Sequence, residues 1–135
     1  MGPLFLELSE VLYLHDAEIR DSGGSDGIRD IGLLESAVET PRQSFGEEFL
    51  HRDLFEMAAA YAFHIAENQP FVDGNKRTGL GAALAFLDVN GVEIPEEAED
   101  LLVDAMYGIG EKSVSKQSLA GLFRRLSTTV PAAKR

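Results

Sequence analysis

A short stretch between Asn68 and Thr78 combines a glycine, an acid, amides and two adjacent basic residues. In order, the stretch reads Asn68, Gln69, Pro70, Phe71, Val72, Asp73, Gly74, Asn75, Lys76, Arg77 and Thr78. The pattern predicts a helix from about Asn75, whose first N–H groups and positive dipole end would form a site for an anion. Gly74 lets the backbone turn tightly and approach a ligand closely. The stretch is therefore predicted to be a phosphate-binding loop that handles a nucleotide.

Three charged side chains extend the chemistry of this loop. Lys76 and Arg77 lie at the positive end of the helix dipole, and a bound anion would offset that unfavourable placement. Asp73 supplies one hard oxygen ligand, which is enough for a magnesium ion that takes its other ligands from water and phosphate. Phe71 and Val72 are expected to anchor the loop in the core. An ordinary turn with a solvated basic exit explains the same residue types, so spacing alone leaves both explanations open.

The composition limits the function classes that the chain can serve. Its 135 residues fit one domain, and 44% apolar residues are enough for a core. The sequence has no apolar run of about 20 residues, no basic N-terminal region typical of a secretory signal, and no cysteine. A cytoplasmic protein without a membrane partner is expected. The net charge of −11 disfavours direct nucleic-acid binding.

Helical spacing of apolar residues runs through the chain and predicts a small all-α bundle. The predicted helices cover Leu8 to Ile19, Leu33 to Val38, Leu54 to Ile65, about Asn75 to Val89, a segment that Pro95 opens at its first position, and a segment from about Ser115. Gly79 and Gly81 make the helix after the loop slender, so that a neighbour can pack closely. Asp30 is expected to cap the second helix, and Asp53 with Glu56 resembles a capping box.

Strands are expected in few places. Val92–Ile94 and the segment Arg42–Leu50 are the candidates, and the second is expected to form a loop or a short hairpin. Pro70 is expected to end the helix before the loop, and Asn90-Gly91 to end the helix after it. Thr128 to Arg135 is expected to be a disordered tail.

The loop from Pro70 to Thr78 resembles the signature loop of the Fic/Doc superfamily. Lys76 after Asn75 resembles the Doc ("death on curing") branch, where Fic proteins usually have glycine. The resemblance spans roughly Phe5 to Leu126. It includes Gly27–Asp30, Leu33–Ala37, Ala85–Leu87 and Asn90-Gly91. It implies a Fic/Doc-type helical domain over 1–127, followed by the tail at 128–135.

The resemblance also implies a function. Doc proteins are toxins of toxin–antitoxin pairs, and the Doc type phosphorylates elongation factor Tu with ATP and Mg²⁺, whereas Fic enzymes transfer AMP. Asp73 would then bind Mg²⁺, and Gly74, Asn75 and the Lys76 backbone would hold phosphates. Lys76 and Arg77 would neutralise the transferred group. Arg42–Leu50 would be the flap that aligns the target chain, and the partners would be a Phd-like antitoxin and an elongation factor Tu-like substrate.

Gln69 departs from the pattern that the resemblance implies. The family loop begins with a histidine that acts as general base, and an amide has no useful basicity, so the loss of the base costs about 10²–10⁴ in rate. A variant with some remaining activity, an inactivated toxin and a nucleotide-binding module without catalysis all stay open. His64, His51 and His15 are each expected to be partly buried structural residues rather than replacement bases, with His64 pointing away from the loop.

Overall fold

The computed structural model describes residues 2–128, which form six α-helices and one two-stranded hairpin. The elements are α1 Leu8–Ser22, α2 Ile31–Glu39, β1 Ser44–Phe45, β2 Glu48–Phe49, α3 Leu54–Asn68, α4 Asn75–Val89, α5 Glu99–Gly110 and α6 Lys116–Leu126. Short 3₁₀ turns precede the hairpin at Thr40–Arg42 and α5 at Glu96–Ala98. The predicted small helical bundle with one hairpin is confirmed. Within the described residues, no helix is long and apolar enough to cross a membrane.

Helix α3 lies at the centre of the bundle and packs against α2, α4, α5 and α6. Its middle is a run of small residues, so neighbouring helices approach its backbone closely. At the crossing with α4, a Cβ placed on Gly79 would lie 2.8 Å from the carbonyl oxygen of Ala62 and 3.4 Å from the Met106 methyl group. The expected close packing of α4 is confirmed there. The two helices that flank the loop are thereby fixed against each other.

Side-chain caps begin three of the helices. The Asp30 carboxylate accepts a hydrogen bond from the Leu33 N–H and caps α2, as predicted. The Asp53 carboxylate accepts from the Glu56 N–H at 2.8 Å and begins α3. The reciprocal half of the predicted capping box is absent, because the Glu56 carboxylate accepts from the Arg52 N–H, one residue earlier. Ser115 caps α6.

Several boundaries differ from the sequence-based expectation. Pro95 precedes a 3₁₀ turn rather than opening an α-helix, and α5 begins only at Glu99. Val92–Ile94 is irregular rather than a strand, because no strand among residues 2–128 pairs with it. The segment Arg42–Leu50, expected to be a loop or a short hairpin, contains a minimal hairpin in which Ser44 pairs with Phe49. The tail prediction falls almost wholly on residues 129–135, outside the described residues.

Candidate functional site

The loop between α3 and α4 begins and ends on residues with positive φ. Gln69 ends α3 in the left-handed conformation (φ 48°, ψ 56°), and its N–H donates to the Ile65 carbonyl. This conformation costs a non-glycine residue about 1 kcal/mol or more. Gly74 is left-handed as well (φ 79°, ψ 17°), and a Cβ there would lie 3.3 Å from the Ile19 side chain. The loop therefore needs glycine at position 74 for both backbone conformation and space.

Arg29 holds the start of the loop from a segment far away in the sequence. Its Nε donates to the Gln69 carbonyl at 2.6 Å, and its Nη2 donates to the Asn68 carbonyl at 2.8 Å. The backbone N–H groups of Arg29 and Asp30 both donate to the Pro70 carbonyl. The two side-chain bonds satisfy carbonyls that the end of a helix leaves without partners. The backbone at position 69 is thus fixed without any contribution from its side chain.

The middle of the loop is held by Asn75 and His15. The Asn75 amide accepts from the Phe71 N–H at 2.9 Å and donates to the Phe71 carbonyl at 3.0 Å. The Phe71 ring is 1% exposed and stacks on the His15 imidazole, with centroids 3.7 Å apart and planes 5° apart. Phe71 anchors the loop as predicted. The same prediction is wrong for Val72, which is 52% exposed because the chain turns outward toward Asp73.

Asp73 is exposed to solvent but fixed in position. Its carbonyl accepts from His15 Nε2 at 2.8 Å, so this nitrogen carries a proton. Its carboxylate Oδ2 accepts from the Ser25 N–H at 2.8 Å. Among the described residues, the other carboxylate oxygen has no hydrogen-bond partner. A cation in the cleft would find one oriented, accessible carboxylate oxygen.

Helix α4 opens toward the same space with uncapped N–H groups and two cations. The first bond of its ladder runs from the Thr78 N–H to the Gly74 carbonyl, and Gly74 has no side chain to cap the turn. The Lys76 ammonium lies 5.7 Å from the centre of the Tyr107 ring, and Arg77 is exposed. Within residues 2–128, neither cation lies within ion-pair distance of a carboxylate. The positive charge at this helix end is therefore available to a ligand.

These groups line one open cleft of about 500 Å³. Its walls are formed by Ser22, Gly23, Gly24, Gln69, Val72, Asp73, Gly74, Asn75, Lys76, Arg77 and Tyr107. All six residues that the sequence singled out lie on this cleft. Across the described chain, no three histidine or acidic side chains group to hold a metal ion. One carboxylate facing an anion site fits Mg²⁺, which keeps several waters and takes phosphate oxygens as ligands.

Comparison with known proteins identifies the family of this chain. Residues 5–87 match the model of the Fic/DOC family. The chain belongs to this family. It is 38% identical over 117 residues to "Protein kinase doc" of Escherichia phage P1, which covers 87% of this chain and 90% of the relative. It is 40% identical over 99 residues to "Toxin Doc" of Mycolicibacterium smegmatis (strain ATCC 700084 / mc(2)155), which covers 73% of this chain and 76% of that relative.

The histidines of this Fic/DOC chain lie outside the cleft, as expected for residues that do not replace the base. His64 and His51 line a separate cleft, which shares no lining residue with the first. His15 lies beneath the loop, where its ring supports Phe71 and Asp73. Gln69, by contrast, lies on the cleft wall.

Sequence reasoning missed several residues that build the site. Arg29 and Ser25 contact the loop across 40 and 48 residues of sequence, and no local pattern marks such contacts. The family resemblance included Gly27–Asp30, and this was the one indication in the sequence that Arg29 belongs to the site. Tyr107 forms the far wall from α5, and nothing in the spacing of its helix distinguishes it.

Proposed function

We propose that this chain is a Doc-type toxin that uses ATP and Mg²⁺ to transfer a phosphoryl group to a hydroxyl of a protein target. One observation carries the proposal. Asp73, the N-terminus of α4, Lys76 and Arg77 surround a single cleft of about 500 Å³, with Gln69 on its wall. The names of its relatives, a protein kinase and a toxin, support the same assignment.

The roles of the site residues follow from their positions. Asp73 would hold Mg²⁺, which supplies Lewis-acid charge to the phosphate oxygens when bound. The N–H groups of the first turn of α4 would donate hydrogen bonds to phosphate oxygens, and Arg77 is free to reach the transferred group. Lys76 adds charge from the side of Tyr107. Phosphoryl transfer depends mainly on positioning and charge stabilisation, which these groups supply.

The side-chain hydrogen bonds of Asn75 suggest how this residue contributes to phosphate binding. Both ends of its side-chain amide are used by the Phe71 backbone. In the proposed site its side chain keeps the loop in shape, and its backbone N–H remains available to a phosphate. The loop therefore has its anion-binding shape before the nucleotide arrives, which lowers the cost of ordering on binding.

Gln69 would make the transfer slow rather than abolish it. A glutamine amide orients an attacking oxygen in other phosphoryl-transfer enzymes but cannot take its proton. The proposed target is an elongation factor Tu-like protein, and the proposed regulator is a Phd-like antitoxin. A basic antitoxin segment would suit a chain with a net charge of −11.

The test compares the chain with its Gln69→His variant. Each is incubated with Mg²⁺, purified elongation factor Tu and ATP labelled at either the γ or the α phosphate. Transfer of the γ label, increased 10²-fold or more by Gln69→His, is expected. Transfer of the α label instead would establish AMP transfer. No transfer by either protein, with ATP binding intact by calorimetry, would establish a binding module without catalysis.

Two further variants test nucleotide binding separately from transfer. Asp73→Ala and Arg77→Ala each remove a charged group that is exposed on the cleft, so the fold is expected to persist. Both variants should lose ATP–Mg²⁺ binding in calorimetry. Unchanged binding in both would remove the site assignment itself. Growth of cells that express the chain or its Gln69→His variant reports in parallel whether the site is toxic.

A further inference from the structure

A second cleft, of about 650 Å³, lies between the hairpin, α2, α3 and α6 and is not used by the proposed phosphoryl transfer. At its base the Lys116 ammonium lies 3.0 Å from Nε2 of His51 and 3.0 Å from Nε2 of His64. When Lys116 is protonated it can only donate, so in that state both imidazole nitrogens accept and both rings are neutral. Such a cluster places an amine between two neutral bases beside open space.

The surroundings disfavour the charged form of this amine. Within residues 2–128, no carboxylate lies within ion-pair distance of Lys116. Burial lowers the pKa of Lys116, and the charge of Glu56, on the same cleft, opposes this only in part. Burial, followed by the Lys116 charge, lowers the pKa of His64 to about 4 and also lowers that of His51. The histidines therefore stay neutral at physiological pH and give the ammonium no counter-charge.

Lys112 provides the contrast within the same protein. Its ammonium lies 2.9 Å from both carboxylate oxygens of Glu67, and its side chain is 74% exposed. An ion pair and full hydration both favour the charged, unreactive form of an amine. The two lysines are four positions apart, yet only Lys116 has the environment of a nucleophile.

We propose that Lys116 is an acylation site whose amine reacts with a small acyl phosphate bound in the second cleft. Arg124 lines the same cleft and donates one N–H to Asp53, so its remaining donors can hold the phosphate. This site is independent of the nucleotide site, and the inference does not rest on the proposed function.

The chemistry balances without a further reactant. The Lys116 ammonium first gives up one proton to solvent. The lone pair of the resulting neutral amine attacks the acyl carbonyl carbon, a C–N bond forms, and the carbonyl electrons move to oxygen. When the carbonyl re-forms, the C–O bond to phosphorus breaks and inorganic phosphate leaves. The proton lost from nitrogen passes to Nε2 of His51 or His64 and then to solvent. The product amide has no positive charge. The contacts by which Lys116 connects His51, after the hairpin, to His64 on α3 are therefore weakened.

The experiment is competitive labelling of the whole chain with acetyl phosphate at pH 7.5, followed by peptide mass spectrometry. A lowered pKa raises the neutral fraction of an amine, so Lys116 is expected to label faster than Lys112. Labelling of Lys116 at or below the rate of Lys112 would overturn the proposal. Lys116→Arg should remove the fast site and leave Lys112 labelling unchanged.

A second reagent separates the amine from the phosphate site. Acetic anhydride has no phosphate, so Arg124→Gln should slow labelling of Lys116 by acetyl phosphate and leave labelling by the anhydride unchanged. Circular dichroism of the variant checks that α6 is still folded. An equal loss with both reagents, or no loss with either, would overturn the role of Arg124. Preferential labelling of Lys116 by the anhydride in the unmutated chain tests the amine without any substitution.

Discussion

Substitution of Gly79 tests whether the contact between α3 and α4 is as close as the structure shows. Alanine at an exposed helix position is favoured over glycine by about 0.8–1 kcal/mol. At Gly79 the new Cβ would lie 2.8 Å from the Ala62 carbonyl oxygen, a backbone atom that cannot rotate away. Overpacking of this kind costs about 1–3 kcal/mol. Gly79→Ala is therefore expected to change the free energy of unfolding by between about zero and −2 kcal/mol.

Gly81 on the same helix is the matched control. A Cβ there has no atom within 4 Å, so Gly81→Ala should gain most of the helical preference, about 0.5–1 kcal/mol. Urea unfolding followed by far-ultraviolet circular dichroism measures both variants, and the slope with urea concentration should stay constant. The two variants should differ by about 1–3 kcal/mol. Equal stabilisation by both would show that α3 and α4 are not in the close contact described.

Three further predictions concern the supports of the two clefts. His64→Gln should reduce the loss of stability on acidification. The lowered pKa of His64 contributes stability above about pH 6.5, and this contribution, about 1–2 kcal/mol after solvent screening, is lost as pH falls toward 4. Urea unfolding at several pH values measures the difference. Arg29→Ala removes two charged hydrogen bonds to the end of α3 and should cost about 1.5–3 kcal/mol in thermal unfolding, whereas Arg29→Lys should recover part of it. Asp30→Ala should cost about 1 kcal/mol by the same measurement through loss of the α2 cap, and Asp30→Asn should restore most of it.

The elements that the sequence predicted correctly are those that local chemistry determines. Helix α4 was expected from about Asn75 to Val89 and has those bounds, because glycine before it and Asn90-Gly91 after it mark both ends. The α2 cap at Asp30 was likewise a matter of three neighbouring residues. Errors came where the outcome depends on distant partners. Val92–Ile94 has strand-like residues, but no strand in the described part of the chain pairs with it, and Val72 is apolar but turned outward by the loop.

In the candidate site too, residues close together in the sequence were predicted, and residues far apart were not. The loop residues that line the cleft all fall within the short stretch from Gln69 to Arg77, and a glycine before a basic helix start marks this stretch in the sequence. The supports of the loop come from Arg29, Ser25 and His15, which are 39 to 58 residues away from their partners. The contact between the His64 ring and the Lys116 side chain spans 52 residues of sequence. No periodicity shows such contacts, since they exist only after the helices pack.

The way the loop is held also determines what a substitution at Gln69 can report. The backbone at this position is fixed by Arg29 and by the Pro70 carbonyl bonds, and the Gln69 side chain has no part in them. Histidine is enriched in the left-handed conformation that position 69 adopts, so Gln69→His should fold without added strain. Asp73 and the start of α4 are held by other residues and should not move. A change in transfer rate in that variant would therefore measure proton transfer at position 69, separately from nucleotide binding.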